Sequence, residues 1–232
     1  MNIKTHSPEF NQTNNQDDFI NGIVYGNPPK SLHIIANKPS DPIRDWFESK
    51  GINKKICQIC PTNSGPATRE DLKKLVEMTR EATQTDITFA NFVDKEDNVA
   101  SLFVRLLSRD GFEETNKEFF EIDNQTLPLL YHLKEKINRP RPYQLAHYFG
   151  FKIYPLIRTD AMTSSFPSGH ALMAFVMSEY YSLKYPDKRH NIERLAERIA
   201  KSREISGIHY PSDTEMSRVI AKLIFENKLI SM

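Results

Sequence analysis

The sequence predicts an all-α protein, a helical bundle carrying a mixed N-terminal extension. Two observations carry this expectation. From Thr68 onward apolar residues recur at three- and four-residue spacing, the period of a helix with one buried face. The segment from Ala171 to about Leu183 is apolar nearly all round, as a central helix of a bundle would be.

The elements follow in order. Residues 1–18 are rich in Asn, Gln and Asp, and predict a mobile N-terminus. Residues 19–67 predict the mixed extension, with Ser31–Ala36 and Lys55–Cys60 reading as short strands between prolines. Residues 68–232 predict the helical domain. Thr68-Arg69-Glu70-Asp71 resembles a capped start, followed by Leu72, Leu75, Val76 and Met78. Val99, Leu102, Phe103, Leu106 and Leu107 mark a second helix. Leu127, Leu130, Leu133 and Ile137 mark a third, which stops near Pro140 because proline cannot continue the ladder. The apolar helix from Ala171, a fifth over Asn191–Ala200 and a last over Ser212 to Phe225 complete the body. Ser212 and Glu215 have the spacing of a capping box.

Bulk properties exclude several classes. The 232 residues carry a formal net charge of +1, so no global field points to nucleic acid. Apolar residues make up 39% and charged residues 26%, ordinary for a soluble globular chain. No stretch approaches the roughly 20 apolar residues of a membrane span, and the N-terminal residues lack the apolar core of a secretory signal. Cytoplasmic residence is the expectation. Cys57 and Cys60 form a lone C-x-x-C; four-ligand zinc needs a second pair, so two structural thiols are expected and no metal or other cofactor.

Polar residues that a core would not want gather at predicted helix ends. Lys134 lies one turn after Leu130 and one turn before Ile137, on an otherwise apolar face, and Arg141-Pro142 follows. Alone, Lys134 also reads as a snorkelling lysine. Ser168-Gly169-His170 directly precedes the apolar helix, where free N–H groups and the helix dipole suit an anion; a plain Ser cap explains it equally well. Ser202-Arg203 and His209 precede the last helix, with Asp213 in its first turn. A carboxylate there can fix the imidazole tautomer and leave the other nitrogen nucleophilic, or merely improve the helix start. Jointly these groups match what a phosphoryl group in transfer needs, namely positioning and positive charge around its oxygens.

The order Lys-x6-Arg-Pro, Pro-Ser-Gly-His and Ser-Arg-x5-His-x3-Asp resembles the three-part signature of the type 2 phosphatidic acid phosphatase superfamily. That group includes class A acid phosphatases, membrane lipid phosphatases and vanadium-dependent haloperoxidases. The matching residues are Lys134, Arg141, Pro142, Pro167, Ser168, Gly169, His170, Ser202, Arg203, His209 and Asp213; residues 1–67 carry no resemblance. The resemblance implies that bundle type, and a metal-independent phosphomonoester hydrolase working through phosphohistidine. His209 would attack, His170 would serve as acid and base, and Asp213 would orient His209. Lys134, Arg141, Ser168, Gly169 and Arg203 would bind the phosphoryl oxygens. The expected partner is a small soluble phosphate such as a nucleotide or sugar phosphate, with neither nucleic acid nor membrane; a homo-oligomer stays open.

Lys136, Arg139 and Arg158 read as a second phosphate contact or as solvated charges, and Tyr154, Phe166 and Tyr210 as a leaving-group pocket or as packing. A vanadium haloperoxidase is the alternative enzyme, distinguished by halide oxidation with vanadate and peroxide. A non-catalytic phosphate-binding module would bind without releasing phosphate.

Overall fold

The computed structural model describes residues 12–95, 98–109, 116–158 and 162–230. The expectation of a mobile N-terminus lies outside the described residues over 1–11. Among the described residues every regular element is helical. The helices are α1 (Gln12–Asn21), α2 (Lys30–Ala36), α3 (Pro42–Ser49), α4 (Ile52–Ile59), α5 (Pro66–Glu81) and α6 (Gln84–Val93). They continue as α7 (Asn98–Arg109), α8 (Asn116–Ile137), α9 (Pro142–Leu145), α10 (Gly169–Lys184), α11 (Arg189–Ile205) and α12 (Pro211–Glu226).

The all-α expectation therefore holds, while the two strands expected in the extension are corrected to helices α2 and α4. In α4, Ile52 and Ile56 are four residues apart, and the buried Ile56 joins Ile43 and Phe47 of α3 in the same core as Leu129 and Leu133 of α8. Packing one helical face against α8 outweighs the strand-like alternation of Lys55–Cys60. Burial of each such side chain is worth about 1.5–3 kcal/mol. Cys57 and Cys60 are free and half-buried on and just after α4, and burial pushes the Cys60 thiol up to about 12.

The centre is α10, buried on nearly every side from Ala171 to Ser182 and packed chiefly on α11 and α12. Two helix starts and one whole helix differ from expectation in ways that matter for the site. Helix α5 starts at Pro66, freeing the Thr68 hydroxyl to donate to the Thr62 carbonyl at 2.7 Å. Helix α12 starts at Pro211, so the side chain that accepts the Tyr210 N–H is Asp213, at 3.0 Å, and not the partner in a Ser212–Glu215 box. Helix α6 was not expected; the capping box of Thr83 and Asp86 starts it.

Candidate active site

Helix α8 ends at Ile137, and Asn138 directly after it has a φ of 48°, the left-handed conformation that asparagine tolerates. Arg139 and Arg141 each precede a proline, which steers both toward extended backbone. Residues two apart on extended chain emerge from the same side, and both guanidinium groups are buried. Lys134, in the last turn of α8, is also buried; its Nζ donates to the carbonyls of Ser164 at 2.5 Å and Ser165 at 3.5 Å.

Arg203 lies in the last turn of α11, and Gly207 turns the chain back with φ 73°, where a Cβ would come within 3.1 Å of Ile153. That turn lets the Ile208 and His209 N–H groups both donate to the Arg203 carbonyl. The Arg203 guanidinium runs to α6, donating to the Ala90 carbonyl at 3.2 Å and pairing with Asp94.

His209 sits between two partners of opposite type. Its Nδ1 lies 3.1 Å from Asp213 Oδ2, and its Nε2 lies 3.1 Å from Arg141 Nη1. A carboxylate only accepts and a guanidinium only donates, so Nδ1 carries the proton and Nε2 presents its lone pair. Asp213 is fully buried and saturated: Oδ2 also accepts from Ser165 Oγ and the Tyr210 N–H, and Oδ1 accepts from Arg139 Nη1 at 2.7 Å. Burial alone would raise its carboxyl, but Arg139 above all, with His209 and Ser165, holds it below the usual carboxylate range.

Arg139 is the residue that sequence reasoning placed wrongly. Neither a solvated charge nor a second phosphate contact, it is 2% exposed and bonded to Asp213, to Ser212 Oγ at 2.8 Å and to Thr68 Oγ1 at 3.1 Å. Asp71 pairs with it at 3.8 Å, and the Tyr210 ring lies 3.8 Å from its Cζ. Its position two residues before Arg141 and directly before a proline was the available signal. Lys136 and Arg158 are exposed, as expected of solvated charges. Phe166 and Tyr210 are buried as packing, and Tyr154 is 73% exposed. Asp94 and Ala90 were missed because α6 was.

His170, in the first turn of α10, is partly buried. Burial, then the charges of Arg203, His209, Arg141 and Lys134, hold its pKa well below 6.5. The same four groups thus share one electrostatic neighbourhood with it. Burial and Arg141 lower His209 likewise, against the pull of Asp213. Ser168 Oγ, at the N-cap of α10, and Arg203 Nε are buried with no hydrogen-bond partner. Every expected site residue but Gly169 and His170 is buried.

The linkage has a definite sign. Above about pH 6.5 both imidazoles are neutral in folded and unfolded chains. Below it the unfolded chain takes up protons that the folded chain refuses, so stability falls as pH falls. Asp213 adds a second loss at lower pH, because its ionised form is favoured only in the folded state. The thermal midpoint should decline from pH 7 toward pH 5, and the decline should shrink in His170→Gln; a flat profile in the unaltered chain would count against two buried neutral histidines.

The all-α fold thus gathers histidine, aspartate and buried cations at helix ends. The family model described as the PAP2 superfamily matches residues 126–225, a span that includes Lys134 through Asp213. Over that span the chain resembles the PAP2 superfamily. Among solved structures it is similar to the first transmembrane PAP2 type phosphatidylglycerolphosphate phosphatase from Bacillus subtilis, at 19% identity and a TM-score of 0.33, covering 85% of this chain and 93% of that one. No curated protein matches. Among the described residues no helix is long and apolar enough to cross a membrane.

Proposed function

We propose that the chain hydrolyses small, soluble phosphomonoesters through a phosphohistidine at His209. The observation that carries this reading is the His209 ring, with its Nδ1–H bonded to Asp213 and its Nε2 lone pair turned toward Arg141.

The substrate dianion draws the donors of Lys134, Arg141 and Arg203 from the main-chain carbonyls they now satisfy. Arg141 Nη1 exchanges His209 Nε2 for a phosphoryl oxygen, and the lone pair is released. Ser168 Oγ and Arg203 Nε, unpaired at present, add donors, with the Gly169 N–H at the start of α10. Nε2 then attacks phosphorus as the ester P–O bond breaks, and His170 gives its proton to the departing oxygen. Bound phosphate offsets the cationic field that depresses His170, so His170 is protonated more readily with substrate than without. In the second half His170 takes a proton from water, the water oxygen attacks phosphorus, and the P–N bond breaks to release phosphate. Asp213 keeps Nδ1 protonated and supports the positive charge on the ring throughout.

The protein's own cations supply the charge, so phosphate release from nucleotides, sugar phosphates and short-chain lipid phosphates should persist in chelator and be blocked by vanadate. Release lost in chelator and restored by a divalent cation would sink this reading. His170→Ala should lower turnover of alkyl phosphates by roughly 10²–10⁴-fold and spare esters whose leaving oxygen needs no proton; an equal loss on both would remove His170 as the acid.

A further inference from the structure

The residues assigned to phosphate binding are closed off, yet one crevice reaches them. Lys134 forms part of its floor, beside Thr163 and Ser164, whose carbonyls hold Arg141 and Lys134. Its outer wall comes from residues outside the PAP2 match: Tyr25, Pro28 and Leu32, facing Tyr131 of α8. Tyr25, Pro28, Leu32 and Tyr131 make its apolar part, and Glu135 and Asn138 add to the polar part that Lys134, Thr163 and Ser164 begin. Val24, Ile34 and Met162, each one or two residues from a lining residue, are exposed apolar side chains.

Residues 23–29 run without regular structure between α1 and α2. They are fastened to the end of α8 by the Tyr25 N–H to the Asn138 carbonyl at 3.1 Å. Two longer bonds add to it, from the Gly26 N–H to Asn138 Oδ1 and from Gln144 Nε2 to the Tyr25 carbonyl, each 3.4 Å. Asn63 Nδ2 anchors the start of the segment by donating to the Ile23 carbonyl at 2.7 Å, while the two long bonds beyond it yield at small cost. The Tyr25 ring lies 5.9 Å from Arg141 Cζ, so the segment reaches from the crevice to the phosphate cations.

We propose that this N-terminal segment and Tyr131 form the leaving-group subsite, which opens along residues 23–29 and selects an apolar or aromatic leaving group over a polyol. The proposal rests on the phosphatase reading for the place of the phosphate and adds the chemistry of the group beside it. A phosphate held by Lys134 would lie beside the crevice, and the proposal places its ester substituent there. An apolar substituent there removes its own surface and those of Tyr25, Leu32 and Tyr131 from water, which a glycerol chain does not.

Affinity tests this apart from turnover. Dissociation constants for 1-naphthyl phosphate, glycerol 1-phosphate and inorganic phosphate are measured by calorimetry on the full chain. In the unaltered chain naphthyl phosphate should bind about tenfold or more tighter than the other two. In Tyr25→Ala and, independently, Leu32→Ala that ratio should fall toward one; Leu32→Trp, which fills the crevice, should invert it. Equal affinities in the unaltered chain, or a ratio that survives all three substitutions, would overturn the subsite. Preferential binding of naphthyl phosphate with no phosphate released would leave the subsite standing and remove the hydrolase reading instead.

Discussion

His209→Ala will lower phosphate release by roughly 10⁴–10⁶-fold, the usual scale when the attacking group of a coupled catalytic set is removed. Alanine offers no lone pair to phosphorus, and the other ring, on His170, is assigned to the leaving oxygen. The fold should survive. Asp213 keeps Arg139, Ser165 and the Tyr210 N–H, and Arg141 keeps the carbonyls of Thr163 and Ile208. The expected loss of stability is about 1–3 kcal/mol, from one lost bond on each of two buried partners. Phosphate release and circular dichroism on the same preparation separate the two effects. A trapped acid-labile phospho-protein in the unaltered chain, absent from His209→Ala, would identify the intermediate. Release within tenfold of the unaltered chain would rule His209 out as nucleophile.

Arg139→Leu will destabilise the fold by about 3–5 kcal/mol, the cost of removing one partner of a buried ion pair. The remaining Asp213 charge is fully buried, and Arg139 is its closest cation. For a chain of this size the thermal midpoint should fall by roughly 6–20 °C. The acid limb of stability should move as well. Without Arg139 the Asp213 carboxyl is no longer held as far below its ordinary range, so protonation breaks the His209 bond at higher pH. Turnover should drop through kcat more than KM, because Arg139 acts on His209 through Asp213 and touches no phosphate-binding group. Lys136→Leu, at an exposed lysine paired with Glu48, is the control and should stay within about 0.5 kcal/mol. A stability loss for Arg139→Leu as small as that control would show that the Arg139–Asp213 pair has no structural weight.

Much of the site was legible in the sequence, since its groups sit at fixed offsets from helix ends. His209 and Asp213 are four apart, with Pro211 between them at the first helical position, and one turn joins the two side chains. Lys134 stood out as a cation on an apolar face, and its burial follows from the helical period. The part that was not legible depends on partners far away in the chain. Asp94 at the end of α6 and Thr68 and Asp71 on α5 carry no local mark of their tie to Arg203 and Arg139. Those contacts span 109, 71 and 68 residues respectively.

The N-terminal region makes the same distinction at the level of the fold. Lys55–Cys60 satisfies a strand pattern as well as a helix pattern, because six residues are too few for periodicity to decide. Ile56 meeting the face of α8 decided it. By itself the sequence determined that the body after Thr68 is helical and which polar residues stand at its helix ends, because helix periodicity, proline stops and motif spacing are local constraints. Only the tertiary structure decided that Arg139 pairs with Asp213, that carbonyl groups hold Lys134, Arg141 and Arg203, and that Tyr25 and Leu32 line a crevice with Lys134. Burial and charge pairing between distant segments are properties of packing, and no short window of residues encodes them.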